Sequence, residues 1–387
     1  MAYETIIHSI FISHIKYIFL GCNLSPLLFS IFIRDLGEEL KGSGLGIEIP
    51  GLKVASIFFA DDIALIGRSS SELKVLMNIC RRYFDRHKLE LSETKSKIIS
   101  HEAQPGEATF TDYGQDLTLE QVVSFKYLGI PVSTAPYCLY NEFNASVQRK
   151  AKSYMYSVMS LVKTGPDRSD LAHTLWTSCA LPAILYGAEV MPLSKGTLKE
   201  VERCQNKVGK FILGIPQSSA NITVNIDAGL RPVWSVVAER VLGYASKLMK
   251  NPACSWTRIA MSSNISDGYR SPYTKYLMHW QTRCGSSLLS PKLIKKTVTR
   301  TAIIATLNEH RKFSSLVALN PPSYVGGQKW FSPKPWITDS IYSKIFSMFR
   351  CMNAGLGNRG PCKDGNFYKL CPLCSKQNEV AVNNEVM

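Results

Sequence analysis

The sequence predicts an α+β protein whose first third combines antiparallel strands with helices and whose remainder is mostly helical. Three observations point there. Two apolar arms, Val54–Phe59 and Ile63–Ile66, flank Ala60-Asp61-Asp62, the pattern of strands around a tight turn. From about residue 140 apolar residues recur three or four apart, and β-hairpin signals become scarce. The charge divides near the same place. The 387-residue chain holds 45 Lys+Arg against 30 Asp+Glu, a formal +15. Residues 1–135 carry 13 basic and 16 acidic side chains, whereas residues 136–387 carry 32 and 14. The whole basic excess therefore lies in the helical part. A composition 45% hydrophobic and 19% charged excludes a disordered nucleic-acid tail, while the basic excess points to a polyanionic partner.

The apolar stretch from Ile6 to Leu20 is interrupted by His8, His14 and Lys16 and is too short to span a bilayer. It lacks a basic start and a small-residue cleavage site, so it reads as neither signal peptide nor anchor. Residues 24–40 read as a helix capped by Ser25, with Pro26 at the first helical position, and KGSGLG stops it. The strands around Asp61 come next. Residues 70–88 return to helical spacing through Leu73, Leu76, Ile79, Cys80 and Phe84. Short strands are expected near 95–100 and 123–132, with a hydrophilic loop between them. Further on, Leu198, Val201, Cys204, Val208, Phe211, Ile212 and Ile215 mark one helix face, and Lys199, Arg203, Lys207 and Lys210 the other. Arg149, Lys150 and Lys152 form another basic cluster, beside Tyr154 and Tyr156, which could stack on bases. Each cluster also suits a plain solvated helix face. The 11 cysteines, odd in number and scattered, suit reduced thiols. An intracellular protein of the nucleus or cytoplasm is expected, neither secreted nor membrane-bound.

Adjacent carboxylates at a hairpin turn repel each other, and a divalent metal removes that cost. Hard oxygen ligands suit Mg²⁺, which takes one or two protein carboxylates plus substrate phosphates. Such a pair serves nucleotidyl transfer by two metals, one activating a hydroxyl and one stabilising the leaving oxygen. Asp-Asp is also simply a good turn pair. The neighbouring motifs decide between these readings. Gly21-Cys22-Asn23-Leu24-Ser25-Pro26-Leu27-Leu28-Phe29 precedes Phe59-Ala60-Asp61-Asp62. Leu89-Glu90-Leu91-Ser92-Glu93-Thr94-Lys95 and Phe125-Lys126-Tyr127-Leu128-Gly129 follow it. In this order and at these spacings the four resemble the reverse transcriptase of non-LTR (LINE-type) retrotransposons. The similarity extends through Leu185-Tyr186-Gly187-Ala188-Glu189, and through Gln205-Asn206-Lys207 to Phe211-Ile212-Leu213-Gly214-Ile215.

The resemblance implies a partial palm over 21–135 after an atypical stretch, 1–20. A thumb-like helical region over 136–250, a basic helical region over 251–350 and a truncated Cys-bearing tail over 351–387 would follow. Asp61 would ligate the catalytic Mg²⁺ or Mn²⁺, with Asp62 in support. Gly21, Ser25 and Pro26, with Phe59 and Ala60, would shape the floor beneath template and incoming dNTP. Lys95 would be the general acid for pyrophosphate, although alone it reads as a solvated surface lysine. Tyr127, Leu128 and Gly129 would grip the primer terminus. The basic clusters would hold an RNA template and a DNA primer.

The chain departs from the family where the metal site is completed. The family carries another palm aspartate upstream of the G-x-x-L-S-P segment, and fingers before it. The first 20 residues hold only Glu4 as an acidic side chain, and Leu20 and Asn23 stand where the family has Gln and often Pro. Asp35 falls inside the helix after Pro26. The expectation is a fragment of an RNA-directed DNA polymerase, inactive by itself. The alternatives are a non-catalytic RNA- or DNA-binding protein derived from a retrotransposon and a fragment with no stable product. At the end, Cys371 and Cys374 resemble the opening of a zinc knuckle, yet residues 375–387 hold neither His nor Cys. Cys351 and Cys362 could complete a four-thiolate Zn²⁺ site; otherwise these are free thiols.

Overall fold

Thr5, Ile6, Ile7 and Ile10 are β-branched, the side chains that fit a pleated surface best, and they form strand β1, Glu4–Phe11. The computed structural model describes residues 4–11, 24–49, 52–100, 106–112, 115–133, 136–162, 168–253, 255–266, 271–285 and 290–309. The chain divides into two compact units. One comprises the residues up to Phe143 together with Asn251–Gly268; the other comprises Asn144–Lys250 and the chain from Tyr269 onward.

The first unit follows β1 with helices α1 (Ser25–Phe32) and α2 (Arg34–Gly42), then strands β2 (Ile47–Ile49), β3 (Leu52–Val54), β4 (Ser56–Phe59) and β5 (Asp62–Gly67). Helix α3 (Ser70–His87) precedes β6 (Glu90–Leu91), β7 (Lys97–Ile99), β8 (Gly106–Asp112), β9 (Gln115–Gln121), β10 (Ser124–Tyr127) and β11 (Ile130–Ser133). The main sheet runs β4-β5-β1-β7-β9-β8, and β6 also pairs with β1. All its pairings are antiparallel except β7 with β9. Leu36 and Leu40 of α2 and Leu73, Leu76, Met77 and Cys80 of α3 bury one face against Ile63, Leu65 and Ile98. The Ser69 hydroxyl starts α3 by accepting the Glu72 amide at 3.2 Å. On the other face Ala64 and Ile99 pack with Phe125, Tyr127 and Val132 of the β10–β11 hairpin.

Three expectations need correction. Residues 24–40 form two helices, because Ile33, at ψ −4°, breaks the run and lets α2 turn its own stripe into the core. The first helix is capped by Leu24 rather than Ser25: the Leu24 carbonyl accepts the first intrahelical bond, from Leu28 at 3.0 Å. The expected hydrophilic loop after residue 100 contains the β8–β9 hairpin, paired from Gly106↔Gln121 to Asp112↔Gln115.

From Pro136 onward every described element is helical. Helix α4 (Pro136–Leu161) leads into the second unit. There α5 (Arg168–Thr174) runs into a π-helical turn, Leu175–Ala180, and α6 (Leu181–Ile184). Helices α7 (Lys195–Leu213), α8 (Ile222–Ile226) and α9 (Val233–Lys250) follow. Then come α10 (Trp256–Ser266), which belongs to the first unit, α11 (Pro272–Cys284) and α12 (Pro291–Glu309). Helix α9 packs against α7, α11 and α12. Trp176 is fully buried there and donates its indole N–H to Gln205 Oε1 at 3.2 Å. Among the described residues no helix is long and apolar enough to cross a membrane.

Candidate active site

Asp61 and Asp62 sit where β4 turns into β5. Phe59 and Asp62 are the last paired residues of this hairpin, so Ala60 and Asp61 form a two-residue turn. Ala60 has φ +49°, a left-handed conformation that costs a residue with a Cβ on the order of 1 kcal/mol. Strain is thus stored at the turn that presents the two carboxylates. Asp61 is exposed and Asp62 half-buried.

Register fixes what surrounds them. Residues opposite one another in an antiparallel pair share a face, as do alternate residues along a strand. Asp62 and Ala64 therefore share a face with Phe59 and Ile57 of β4, and on the other side they are paired in register with Ser9 and Ile7 of β1. This face lies away from α2 and α3, since Ile63 and Leu65 point into the helix-covered core. Tyr127 packs on the same face, beside Ala64 and Ile99. Its hydroxyl is buried with no hydrogen-bond partner among the described residues. Burial, and then the charge of Asp62, push the phenol above its ordinary pKa, so it stays a proton donor. Lys97 pairs with Ile7 and forms an ion pair with Glu120 at 2.6 Å. Lys95, exposed and two residues earlier, lies toward the end of the sheet that carries Ser9 and Asp62. Two adjacent hard carboxylates, one open to solvent, suit a divalent cation that keeps water and phosphates as its other ligands. Among the described residues no group of three His, Cys, Asp or Glu side chains forms around them.

The remaining motif residues divide. Leu128 and Gly129 form the turn of the β10–β11 hairpin, at φ +50° and +77°. Two positive φ values match the twist of the flanking strands, and glycine takes the second without strain. Ser25 and Pro26 open α1; Gly21, Cys351, Cys362, Cys371 and Cys374 lie outside the described residues. In the helical region Arg149, Lys199 and Lys207 are exposed, and Lys150 is half-buried. Lys152 and Arg203 both reach Glu200, at 3.6 and 2.7 Å. The Arg203 hydrogen bond holds the Glu200 carboxyl below the usual carboxylate range.

Lys210 corrects the expected basic face. It is buried and donates to the Gln217 carbonyl at 2.8 Å. Its azimuth on α7 matches that of Lys199, but the chain after Gly214 folds back over the last turn and claims the ammonium. Helical periodicity cannot see that loop. The pairing of β1 with β5, which sets Ser9 opposite Asp62, has no local signal in the sequence.

Residues 12–132 match the family described as reverse transcriptase (RNA-dependent DNA polymerase). Asp61, Asp62, Lys95 and Tyr127 lie inside that segment, and Ser9 precedes it. The chain is also similar to two curated relatives. Over 222 residues the chain is 20% identical to an uncharacterized transposon-derived protein of Caenorhabditis elegans, covering 55% of this chain and 78% of that one. Over 224 residues it is 25% identical to the retrovirus-related Pol polyprotein from type-1 retrotransposable element R2 of Popillia japonica. That match covers 54% of this chain but only 35% of the polyprotein.

Proposed function

We propose that this chain is the later-palm and thumb-side portion of a non-LTR retrotransposon reverse transcriptase. Residues 21–135 are the partial palm, 136–250 the thumb-like helices and 251–350 a basic helical region. One observation carries this reading: the Asp61-Asp62 turn, strained at Ala60, on the face of the sheet away from α2 and α3, within the segment matched to the reverse transcriptase family. Asp61 and Asp62 would hold Mg²⁺ or Mn²⁺, which would supply charge neutralisation and acidify a primer 3′-hydroxyl. Phe59, 60% exposed and on the Asp62 face, contacts the incoming dNTP. The Tyr127-Leu128-Gly129 turn steadies the primer end, and Lys95 carries the proton for pyrophosphate. Arg149, Lys199 and Lys207 follow the phosphates of an RNA template paired with a DNA primer.

Residues 1–387 by themselves do not extend a primer, because neutral residues flank Asp62 on both neighbouring strands. Primer extension on an RNA template with Mg²⁺ or Mn²⁺ tests both halves of this proposal. The expected result is salt-sensitive binding of an RNA–DNA hybrid without extension. Extension that Asp61→Asn abolishes would refute the inactivity, and no binding at any salt would refute the template–primer reading.

A further inference from the structure

Helix α11 carries Lys275, His279 and Arg283 four residues apart and has no acidic side chain. That spacing sets the three on one stripe, and each is exposed. At the end of the stripe the Arg283 guanidinium carbon lies over the Trp234 ring, 4.0 Å from its centroid, a separation reached only against the ring face. Trp234, in the first turn of α9, stacks in turn on Trp280, with ring planes 4° apart and centroids at 6.3 Å. Trp280 is buried, Trp234 half-buried and Arg283 exposed, so the layers run from core to solvent and end on a guanidinium plane. The geometry points to a nucleobase-stacking site for single-stranded nucleic acid on this α9–α11 surface, with Arg283 and Trp234 as its platform. The site stands apart from the palm and needs no metal.

A cation–π clasp between two helices uses one face of the guanidinium. The outer face remains for a partner that is both flat and anionic. Positive charge collects around it. Partial burial, then the charges of Arg283 and Lys195, hold the His279 imidazole below its ordinary pKa, so Lys195 at the start of α7 also lies close to the stripe. Among the described residues no carboxylate forms an ion pair with Arg283, Lys275 or Lys195. A nucleotide strand supplies what is missing on both counts. Its bases stack on aromatic rings and guanidinium planes, and its phosphates follow the cations. Bases in a duplex are already stacked on one another, so the platform selects single strands. An acidic peptide would match the charge but has no ring to lay on the plane.

The test is fluorescence anisotropy of the full chain with a labelled oligouridylate and with an abasic strand of the same length. Arg283→Lys keeps the charge but loses the plane. Its affinity for oligouridylate should fall about fivefold or more, while its affinity for the abasic strand should match that of the wild type. Failure of the wild type to bind oligouridylate, wild-type affinity in Arg283→Lys, or an equal loss on the abasic strand overturns the inference. A second measurement needs no variant, and so is independent of any effect of substitution on folding. A strand carrying 5-iodouridine, irradiated with the wild-type chain, should give an adduct on Trp234 or His279, located by mass spectrometry. Adducts confined to other residues, or none at all, overturn the inference as well.

Discussion

Replacing Arg149, Lys199 and Lys207 together with glutamine should lower the salt dependence of nucleic-acid binding, whereas Lys210→Met should not. The structure selects these three from the seven basic side chains of the two clusters. They are exposed, and no carboxylate pairs with them among the described residues. Lys152 and Arg203 already share Glu200, Lys150 is half-buried, and Lys210 spends its charge on the Gln217 carbonyl. Each phosphate neutralised on a duplex contributes about 0.9 to the slope of log K against log salt. Three lost contacts should remove about 2.7 from that slope. Between roughly 50 and 200 mM salt, wild-type affinity should then fall about 40-fold more than that of the triple variant. Fluorescence anisotropy of a labelled RNA–DNA hybrid across that range measures the difference directly. A triple-variant slope within about 0.5 of the wild type would refute the assignment of these side chains to phosphates. A slope reduced by about 1 in Lys210→Met would refute the claim that burial withdraws this lysine from binding.

Two further predictions concern the helical unit. A methyl added at Gly209 would meet Val224 Cγ1 at 2.3 Å, so Gly209→Ala should destabilise the fold. Overpacking of about 3 kcal/mol less the roughly 1 kcal/mol gained in helix propensity leaves about 2 kcal/mol, readable by urea unfolding. Adding Val224→Ala should restore part of the loss, and equal or greater stability in Gly209→Ala would contradict the tight α7–α8 contact. Burial holds the His173 imidazole below its ordinary pKa, although Asp170 partly opposes this. The unfolded chain therefore takes up the proton first as pH falls through about 6.5, and stability declines as pH drops toward the folded-state pKa. Thermal unfolding between about pH 7.5 and 5.5 should show a smaller decline in His173→Gln than in the wild type.

The sequence carried the carboxylate turn because its signals are local: apolar arms of period two around residues that turn easily. Helix α3 was legible for the same reason, through its apolar spacing. Helix α7 was legible in extent but not in its solvent face, because burial of Lys210 depends on a loop that turns back seven residues later. The β8–β9 hairpin escaped because its strands are largely polar, with Leu119 the fully buried anchor among their described side chains. The β1–β5 pairing escaped because register is non-local: nothing near residue 9 says that it will pair with Asp62.

Iron-mediated cleavage tests most directly whether the Asp61-Asp62 turn holds a divalent cation, as proposed: Fe²⁺ replaces Mg²⁺, and ascorbate with peroxide generates radicals that cut the backbone near the bound ion. Cleavage should cluster around residues 58–64, be suppressed by excess Mg²⁺, and disappear in Asp61→Asn and Asp62→Asn. Absence of cleavage at this turn, or a cut there that both variants retain, would contradict the claim.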